Sequence, residues 1–309
     1  MKSNILILFC CFLFLASCQA PSIEEYTLLP HPVDIKYIPG MVKLKTQPTL
    51  VYPGELANEA LLLQCYLSSD FSVQATLKKN KKKGDIILQL DPAVLPEQAE
   101  GYILDATSGN IVLKANSPAG ILNAIQTFRQ VLKVKDGRLI VQKSTLTDYP
   151  VFSWRAFMLD EGRYFKGKEV VFDLLDEMAA LKMNVFHWHL TDDQGWRIEI
   201  KKYPKLTEIG AWRDSSEIDH FGSNRYDGRR HGGFYTQEEI KEVVDYAAKR
   251  NITVIPEIEM PGHASAAIAA YPWLGTSGKQ IKVPGKFGVQ YDIFNVADPR
   301  VIHFLNDVM

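Results

Sequence analysis

Apolar and polar positions along the chain follow three rhythms, and each predicts a different organisation. The first is a continuous apolar run from Ile5 to Leu15 behind Lys2. It is too short to cross a bilayer as a helix and matches the hydrophobic region of a secretory signal. The second rhythm extends from Pro21 to about Pro150 and alternates short strands with helical stretches. Asp85–Leu90, Gly101–Asp105 and Asn110–Lys114 read as strands between Pro, Gly and Ser-Gly-Asn turn signals. After Ser117-Pro118, the residues Ile121, Leu122, Ile125, Phe128, Val131 and Leu132 recur at helical spacing, giving one apolar face to lay on a sheet.

The third rhythm begins at Phe152. Arg155–Asp160 reads as a strand, Val170, Val171, Leu174, Leu175, Met178 and Leu181 as an amphipathic helix, and Met183–Leu190 as a second, buried strand that ends in a polar burst. Thr236-Gln237-Glu238-Glu239 is a capping box. Behind it Ile240, Val243, Val244, Ala247 and Ala248 form one helical face, and Ile252–Glu259 follows as a third strand. Polar residues collect at the C-terminal ends of these strands, the layout of a parallel α/β domain. A (β/α)8 barrel places its working groups at that rim, but takes about 250 residues to close. The stretch from Val151 to Met309 is much shorter. The predicted fold class is therefore α/β: a small N-terminal accessory α/β domain followed by an incomplete (β/α)8 TIM barrel. The expected divisions are a signal peptide over 1–17, the accessory domain over 18–150 and the barrel portion over 151–309.

Charge and composition narrow the function classes. Lys+Arg 35 against Asp+Glu 36 leaves a net charge of −1, so bulk charge gives no footprint for nucleic acid. The one basic run, Lys78-Lys79-Asn80-Lys81-Lys82-Lys83, lacks interleaved aromatics and reads as a solvated loop. Fifteen Phe, 13 Tyr and five Trp supply apolar area that disordered chains lack. Cys10 and Cys11 leave with the signal. Cys65, in the apolar run Leu61–Leu67, reads as a buried small hydrophobe, so no disulfide framework is expected. Leu15-Ala16-Ser17-Cys18 resembles the bacterial lipoprotein processing box. That resemblance implies lipidation at Cys18 and an exported protein held at the cell envelope, in the periplasm or at the outer membrane, touching membrane only through its anchor.

Three clusters at strand ends carry the candidate chemistry: Asp160-Glu161-Gly162-Arg163, His187 through Arg197, and Pro256 through His263. Carboxylates beside aromatics suit sugars, because aromatic faces cover apolar ring patches while Arg and Asp bond hydroxyls. Asp192-Asp193 beside Trp196 is such a mixture. His187 and His189 share one strand face. A metal-dependent barrel hydrolase built on that pair is a rival reading, but no further ligands follow from spacing. The expectation is no metal and no cofactor, with His187 as an internally hydrogen-bonded barrel histidine.

These motifs resemble glycoside hydrolase family 20, the β-N-acetylhexosaminidases. The likeness rests on Phe152–Asp160 through Arg163, Leu181-Lys182-Met183-Asn184, His187-Trp188-His189-Leu190-Thr191-Asp192-Asp193-Gln194-Gly195-Trp196-Arg197, Tyr203–Thr207 and Pro256–His263. Leu29-Pro30-His31-Pro32 and the Gln126-Thr127-Phe128 helix resemble the family's accessory domain. The resemblance implies removal of terminal β-linked N-acetylglucosamine or N-acetylgalactosamine from glycans, with retention, by attack of the substrate's own acetamido oxygen. Family 20 is one of the known exceptions to the two-carboxylate scheme. Carried over by position, Arg163 holds sugar hydroxyls, Asp192 and His263 support the catalytic acid, and Asp193 and Glu259 belong to the same sugar-binding network. Glu259 stands where many relatives carry Asp. The family's His-x-Gly-Gly-Asp-Glu segment, with its orienting Asp and acid Glu, does not occur among the 309 residues, and Asp298–Met309 resembles the helix that precedes it. The expectation is a portion of a hexosaminidase that is inactive by itself. A non-catalytic glycan-binding lipoprotein is the alternative.

Overall fold

The computed structural model describes residues 23–81 and 83–309. The expected signal run and Cys18 lie outside them. The first layer is a mixed eight-stranded sheet. Its strands are β1 (Asp34–Lys43), β2 (Thr49–Tyr52), β3 (Thr76–Lys79), β4 (Ile86–Leu90), β5 (Tyr102–Asp105), β6 (Ile111–Ala115), β7 (Lys133–Lys135) and β8 (Arg138–Asp148). They run in the order β1-β8-β5-β6-β4-β2-β3, with β7 alongside β8. β2, β3, β4 and β6 pair in parallel, whereas β5, β7 and β1 meet their neighbours antiparallel.

Helices α1 (Ala57–Phe71) and α2 (Pro118–Val131) pack on this sheet, and Leu56, Leu63, Leu67, Ile121, Ile125 and Phe128 join Ile86, Leu104 and Leu113 in its core. Ser117 caps α2 by accepting the Gly120 N–H at 3.1 Å, and Pro118 occupies the first turn, where its missing N–H costs nothing. The one apolar face predicted for α2 is found, but the opposite face is buried too: Asn123, Gln126 and Thr127 are all covered. The helix lies between the sheet and the second layer, so its polar side chains bond inside the molecule, Asn123 to the Glu100 carbonyl and Thr127 to Tyr102. Two expectations here need correction. Cys65 is exposed, because the buried stripe of α1 is Ala60, Leu63, Tyr66 and Leu67, leaving Cys65 and Leu61 on the outer face. Lys78 and Lys79 form the exposed end of edge strand β3 instead of a loop.

The second layer holds three parallel strands in the order β15-β10-β9, namely β9 (Ala156–Asp160), β10 (Val185–His189) and β15 (Thr253–Glu257). Helix α3 (Lys168–Ala180) links the first pair and α5 (Gln237–Ala248) precedes the third strand. Phe186, Trp188 and Leu190 of the β10 segment pack outward against Val171, Leu175 and Met178 of α3 and Val243 and Ala247 of α5. The alternate residues, His187 and His189, therefore face the concave side. This is the strand–helix repeat of an incomplete (β/α)8 barrel. Between β10 and α5 lie two short ribbons, β11 (Thr191–Asp192) with β12 (Gly195–Trp196) and β13 (Trp212–Arg213) with β14 (His231–Gly232), and the single-turn helix α4 (Lys205–Glu208). α6 (Ser265–Ala270) and α7 (Pro299–Val308) follow β15 and share a core with Trp196, Leu206 and Phe294. No helix among the described residues is long and apolar enough to cross a membrane.

A buried polar seam joins the two layers. Lys182 Nζ donates to Asp148 Oδ2 at 2.7 Å and to the Tyr102 hydroxyl at 2.9 Å, and Glu100 receives Arg155 and Asn184.

Candidate active site

The parallel register sets the floor of the site. Asp160, His189 and Glu257 stand opposite one another across the three strands, so the strands end in one row and the loops beyond them rise side by side. Two glycines let those loops touch. A β-carbon on Gly162 would lie 3.0 Å from Asp192 Cβ and from the Thr191 carbonyl carbon. A β-carbon on Gly195 would overlap the Arg197 guanidinium, 2.0 Å from Cζ. Arg197 is fully buried and donates to the carbonyls of Glu161, Gly162, Gln194, Ala211 and Gly233, which stitches the loop after β9 to the loop after β10. Burial, reinforced by the nearby charge of Arg213, lowers its pKa to about 9.

On this frame Arg163 is held at both ends. Asp160 Oδ2 accepts from Nη1 at 2.7 Å, Asp192 Oδ2 lies 2.9 Å from Nη2, and Asp160 Oδ1 also accepts the Arg163 backbone N–H at 3.0 Å. Asp192 is completely covered and lies 3.2 Å from His263 Nδ1 through its other oxygen. His263 Nδ1 is also 3.0 Å from Asp193 Oδ2. Asp193 Oδ1 then accepts both the N–H and the hydroxyl of Ser265, at 3.0 and 2.6 Å, fixing the start of α6. His263 has φ 49°, a left-handed conformation that is uncommon outside glycine and is retained where surrounding contacts fix it. Glu259 N–H donates to Thr191 Oγ1 at 2.9 Å, bringing that loop over β10. His189, almost fully buried, has Nδ1 3.2 Å from Asp160 Oδ1 and Nε2 3.7 and 3.6 Å from Asp192 Oδ2 and Glu259 Oε1.

The electrostatics follow from this packing. Burial would raise the Asp160 carboxyl, but the adjacent His189 ring and the hydrogen bonds from Arg163 outweigh it and hold the group well below the usual carboxylate range. Asp192 is shifted the other way, because burial outweighs the Asp193 N–H and the charges of Arg163 and His263. Burial and the neighbouring Glu257 raise Glu259. Burial opposes the charging of His263, yet Asp192 and Asp193 raise it above an ordinary histidine.

Arg163, Asp192, Asp193, Glu259 and His263 are thus brought together from three strand ends. Arg163, Glu259 and His263 keep 39, 25 and 33 % of their side chains exposed and are the open groups of the cluster. Two expectations are corrected. Asp193 was expected to touch sugar, but both its oxygens are committed inside and it works from behind His263. Trp196 is buried with Leu206 and Phe304 and donates Nε1 to the Ile198 carbonyl at 2.7 Å, so it offers no sugar platform. His187 lies on the concave, inner face of the barrel portion, half-exposed, with Nε2 2.5 Å from Glu257 Oε2 of the adjoining strand. Glu161 faces inward to Tyr235 and the Lys166 N–H. Among the described residues, two groups of side chains have donor atoms close enough to hold a cation, His189–Glu257–Glu259 and Asp192–Asp193–His263. His187 belongs to neither, so the histidine pair of the rival metal reading does not converge as ligands. Sequence reasoning placed Asp160 and His189 in the strand-end clusters but gave neither a role in the sugar-binding network, because their contacts across the adjoining strands are not visible in spacing.

Comparison with known proteins gives a consistent result. The model of "Glycosyl hydrolase family 20, catalytic domain" matches residues 152–309, and that of "Glycosyl hydrolase family 20, domain 2" matches 25–149. A beta-hexosaminidase from Porphyromonas gingivalis is 37 % identical over 97 % of this chain and 40 % of its own length. One from Vibrio furnissii is 45 % identical over 70 % of this chain and 34 % of its own. The crystal structure of a GH20 exo-beta-N-acetylglucosaminidase from Vibrio harveyi in complex with N-acetylglucosamine superposes with a TM-score of 0.78 at 33 % identity, over 91 % of this chain and 44 % of that one. The chain thus spans less than half the length of these relatives.

Proposed function

The chain belongs to glycosyl hydrolase family 20, and from that premise we propose that it forms the sugar-gripping part of a retaining β-N-acetylhexosaminidase site for terminal β-linked N-acetylglucosamine or N-acetylgalactosamine. The observation that carries the reading is the Arg163 clamp. Two carboxylates fix both ends of the guanidinium, and the remaining donors of its planar fork are free for a pair of sugar hydroxyls. A lysine could not be oriented in this way, having one rotatable point charge. His263, backed by Asp192 and Asp193, which raise it above an ordinary histidine, stands beside the clamp with a partly open face, suited to steadying a carboxylic acid that protonates a leaving oxygen. In the substrate-assisted scheme the acetamido oxygen of the bound sugar attacks its own anomeric carbon, so the protein's task is positioning and proton supply. The same reading has the protein anchored at the cell envelope by acylation of Cys18.

Saturation-transfer NMR of the 309-residue chain with N-acetylglucosamine is expected to show sugar-ring signals that Arg163→Ala removes. The same chain is expected to release no 4-nitrophenol from 4-nitrophenyl N-acetyl-β-glucosaminide, because no Gly-Gly-Asp-Glu segment is among its residues. Sugar contact that survives Arg163→Ala, or turnover by these residues alone, overturns the proposal.

A further inference from the structure

We propose that Glu161 is a positioning residue of this site: its carboxylate closes the segment from Glu161 to Lys166 into an arch and ties that arch to Tyr235, so that Arg163, in its middle, is held in place for a sugar. The inference rests on the sugar-gripping role proposed above and adds to it the residue that fixes the gripping arginine at its base. Glu161 is completely covered, and both its side-chain oxygens accept hydrogen bonds inside the protein, so it acts through Arg163 and does not reach a sugar itself.

The need for such a residue follows from how Arg163 is held. Its tip meets Asp160 and Asp192, but 39 % of the side chain is exposed. Water weakens ion pairs at an open surface, so the tip contacts alone do not fix a long side chain whose backbone is free to move. The backbone before Arg163 is secured by its own bonds. The N–H groups of Glu161 and Gly162 both donate to the His189 carbonyl, at 3.0 and 2.9 Å, and Arg197 donates to the carbonyls of the same two residues, at 2.9 and 3.0 Å. Beyond Arg163 the chain turns outward. Tyr164 and Lys166 are exposed, and helix α3 begins only at Lys168. This far end is where the carboxylate acts: Oε1 accepts the Lys166 N–H at 2.9 Å and Oε2 accepts the Tyr235 hydroxyl. Tyr235 is a firm post. It is buried, its N–H donates to the Arg197 carbonyl at 2.7 Å, and its ring packs on Phe165 with centroids 5.0 Å apart. Phe165 fits there because residue 233 is glycine, where a β-carbon would fall 2.3 Å from the ring. One carboxylate thus joins the two ends of the segment and fastens both to the stretch before α5. Without it the exposed Lys166 N–H turns to water, and the arch opens at its far end while its start stays fixed.

The test titrates the 309-residue chain with N-acetylglucosamine by saturation-transfer NMR and follows amide hydrogen exchange in the same samples. Glu161→Ala is expected to weaken binding by about tenfold, the loss of one strong hydrogen bond, and to speed exchange of the Lys166 N–H by a similar factor. Glu161→Gln is the conservative partner, because its amide can accept from Lys166 and donate to the Tyr235 oxygen. It is expected to bring affinity back to within about twofold of the unaltered chain, although it gives up the charge that favours protonated Arg197 and so unfolds at lower urea. A merely structural role would make affinity and stability fall together. Tyr235→Phe removes one oxygen and keeps the ring in the core, so it serves even where the Ala variant fails to fold. It is expected to weaken binding by about threefold alone and to add nothing in the Glu161→Ala background. Affinity unchanged in Glu161→Ala or in Tyr235→Phe, Lys166 exchange that does not move, or Glu161→Gln binding as poorly as Glu161→Ala overturns the inference. Should the unaltered chain bind no sugar, the functional proposal falls, while Lys166 exchange in the unaltered and variant chains still decides whether the carboxylate closes the arch.

Discussion

Arg163 and Arg197 lie beside the same strand ends and differ only in what surrounds them. Arg197 meets five backbone carbonyls and no carboxylate, so its charge is spent on holding loops together. Arg163 meets two carboxylates and keeps an open side, so its fork remains available. A third basic residue, His231, is governed by the same surroundings. Its Nε2 accepts the Phe165 N–H at 3.1 Å and its ring stacks on Tyr164 at 3.9 Å. Burial, then the charges of Arg213 and Arg197, push its pKa from 6.5 down to about 4. The unfolded chain therefore takes up this proton first. The stability that neutral His231 lends is complete above pH 6.5 and is lost as pH falls through about 4. Denaturant titrations across this interval are expected to show a flatter acid decline for His231→Gln than for the unaltered chain. Parallel curves would mean that His231 does not govern that loss.

At the scale of elements, local signals succeeded where a single contact defines an end. Thr236 Oγ1 accepts the Glu239 N–H at 3.1 Å, and Glu239 Oε2 accepts the Thr236 N–H at 3.0 Å, so the capping box read from four letters forms in both directions. Thr236→Ala leaves the first turn of α5 without that acceptor and is expected to cost about 1 kcal/mol in urea unfolding. No measurable loss would show that packing of Val243 and Ala247 alone fixes the helix. Helix α2 shows where such signals run out. Its apolar stripe was legible, but burial of Asn123, Gln126 and Thr127 on the other side came from a layer formed more than 30 residues later in the chain. Cys65 failed for the converse reason: its run of apolar neighbours is continuous in sequence, but only one face of α1 meets the sheet.

The two layers communicate through Lys182, which has a positive φ of 58° and reaches back to Asp148 and Tyr102 in the first sheet. Burial lowers its pKa, while Asp148 works to retain the charge. Removing the cation from a covered pair leaves the other charge stranded, which costs about 3–5 kcal/mol. Lys182→Ala is expected to lose stability on that scale and to uncouple the layers. All five tryptophans lie beyond residue 150, so tryptophan fluorescence follows the second layer while far-ultraviolet circular dichroism follows both. Their unfolding midpoints should separate in the variant and coincide in the unaltered chain. Coincident midpoints in both would show that Glu100, with Arg155 and Asn184, carries the seam unaided.

Three strands and one helix of the first layer, the three strands and two helices of the second, the capping box of α5 and the gathering of polar residues at strand ends were legible in the sequence alone. Each is a matter of periodicity or spacing within one turn or one strand, where neighbours in the chain are neighbours in space. Tertiary structure decided which of those polar residues face outward. Asp193 is consumed by Ser265, Trp196 by the core under α7, and Arg197 by carbonyls of five separate residues, whereas Arg163 and Glu259 remain open. The contacts of His189 with Asp160 and Glu259 join positions 29 and 70 residues apart, so its place in the site existed only once three strands lay side by side in register.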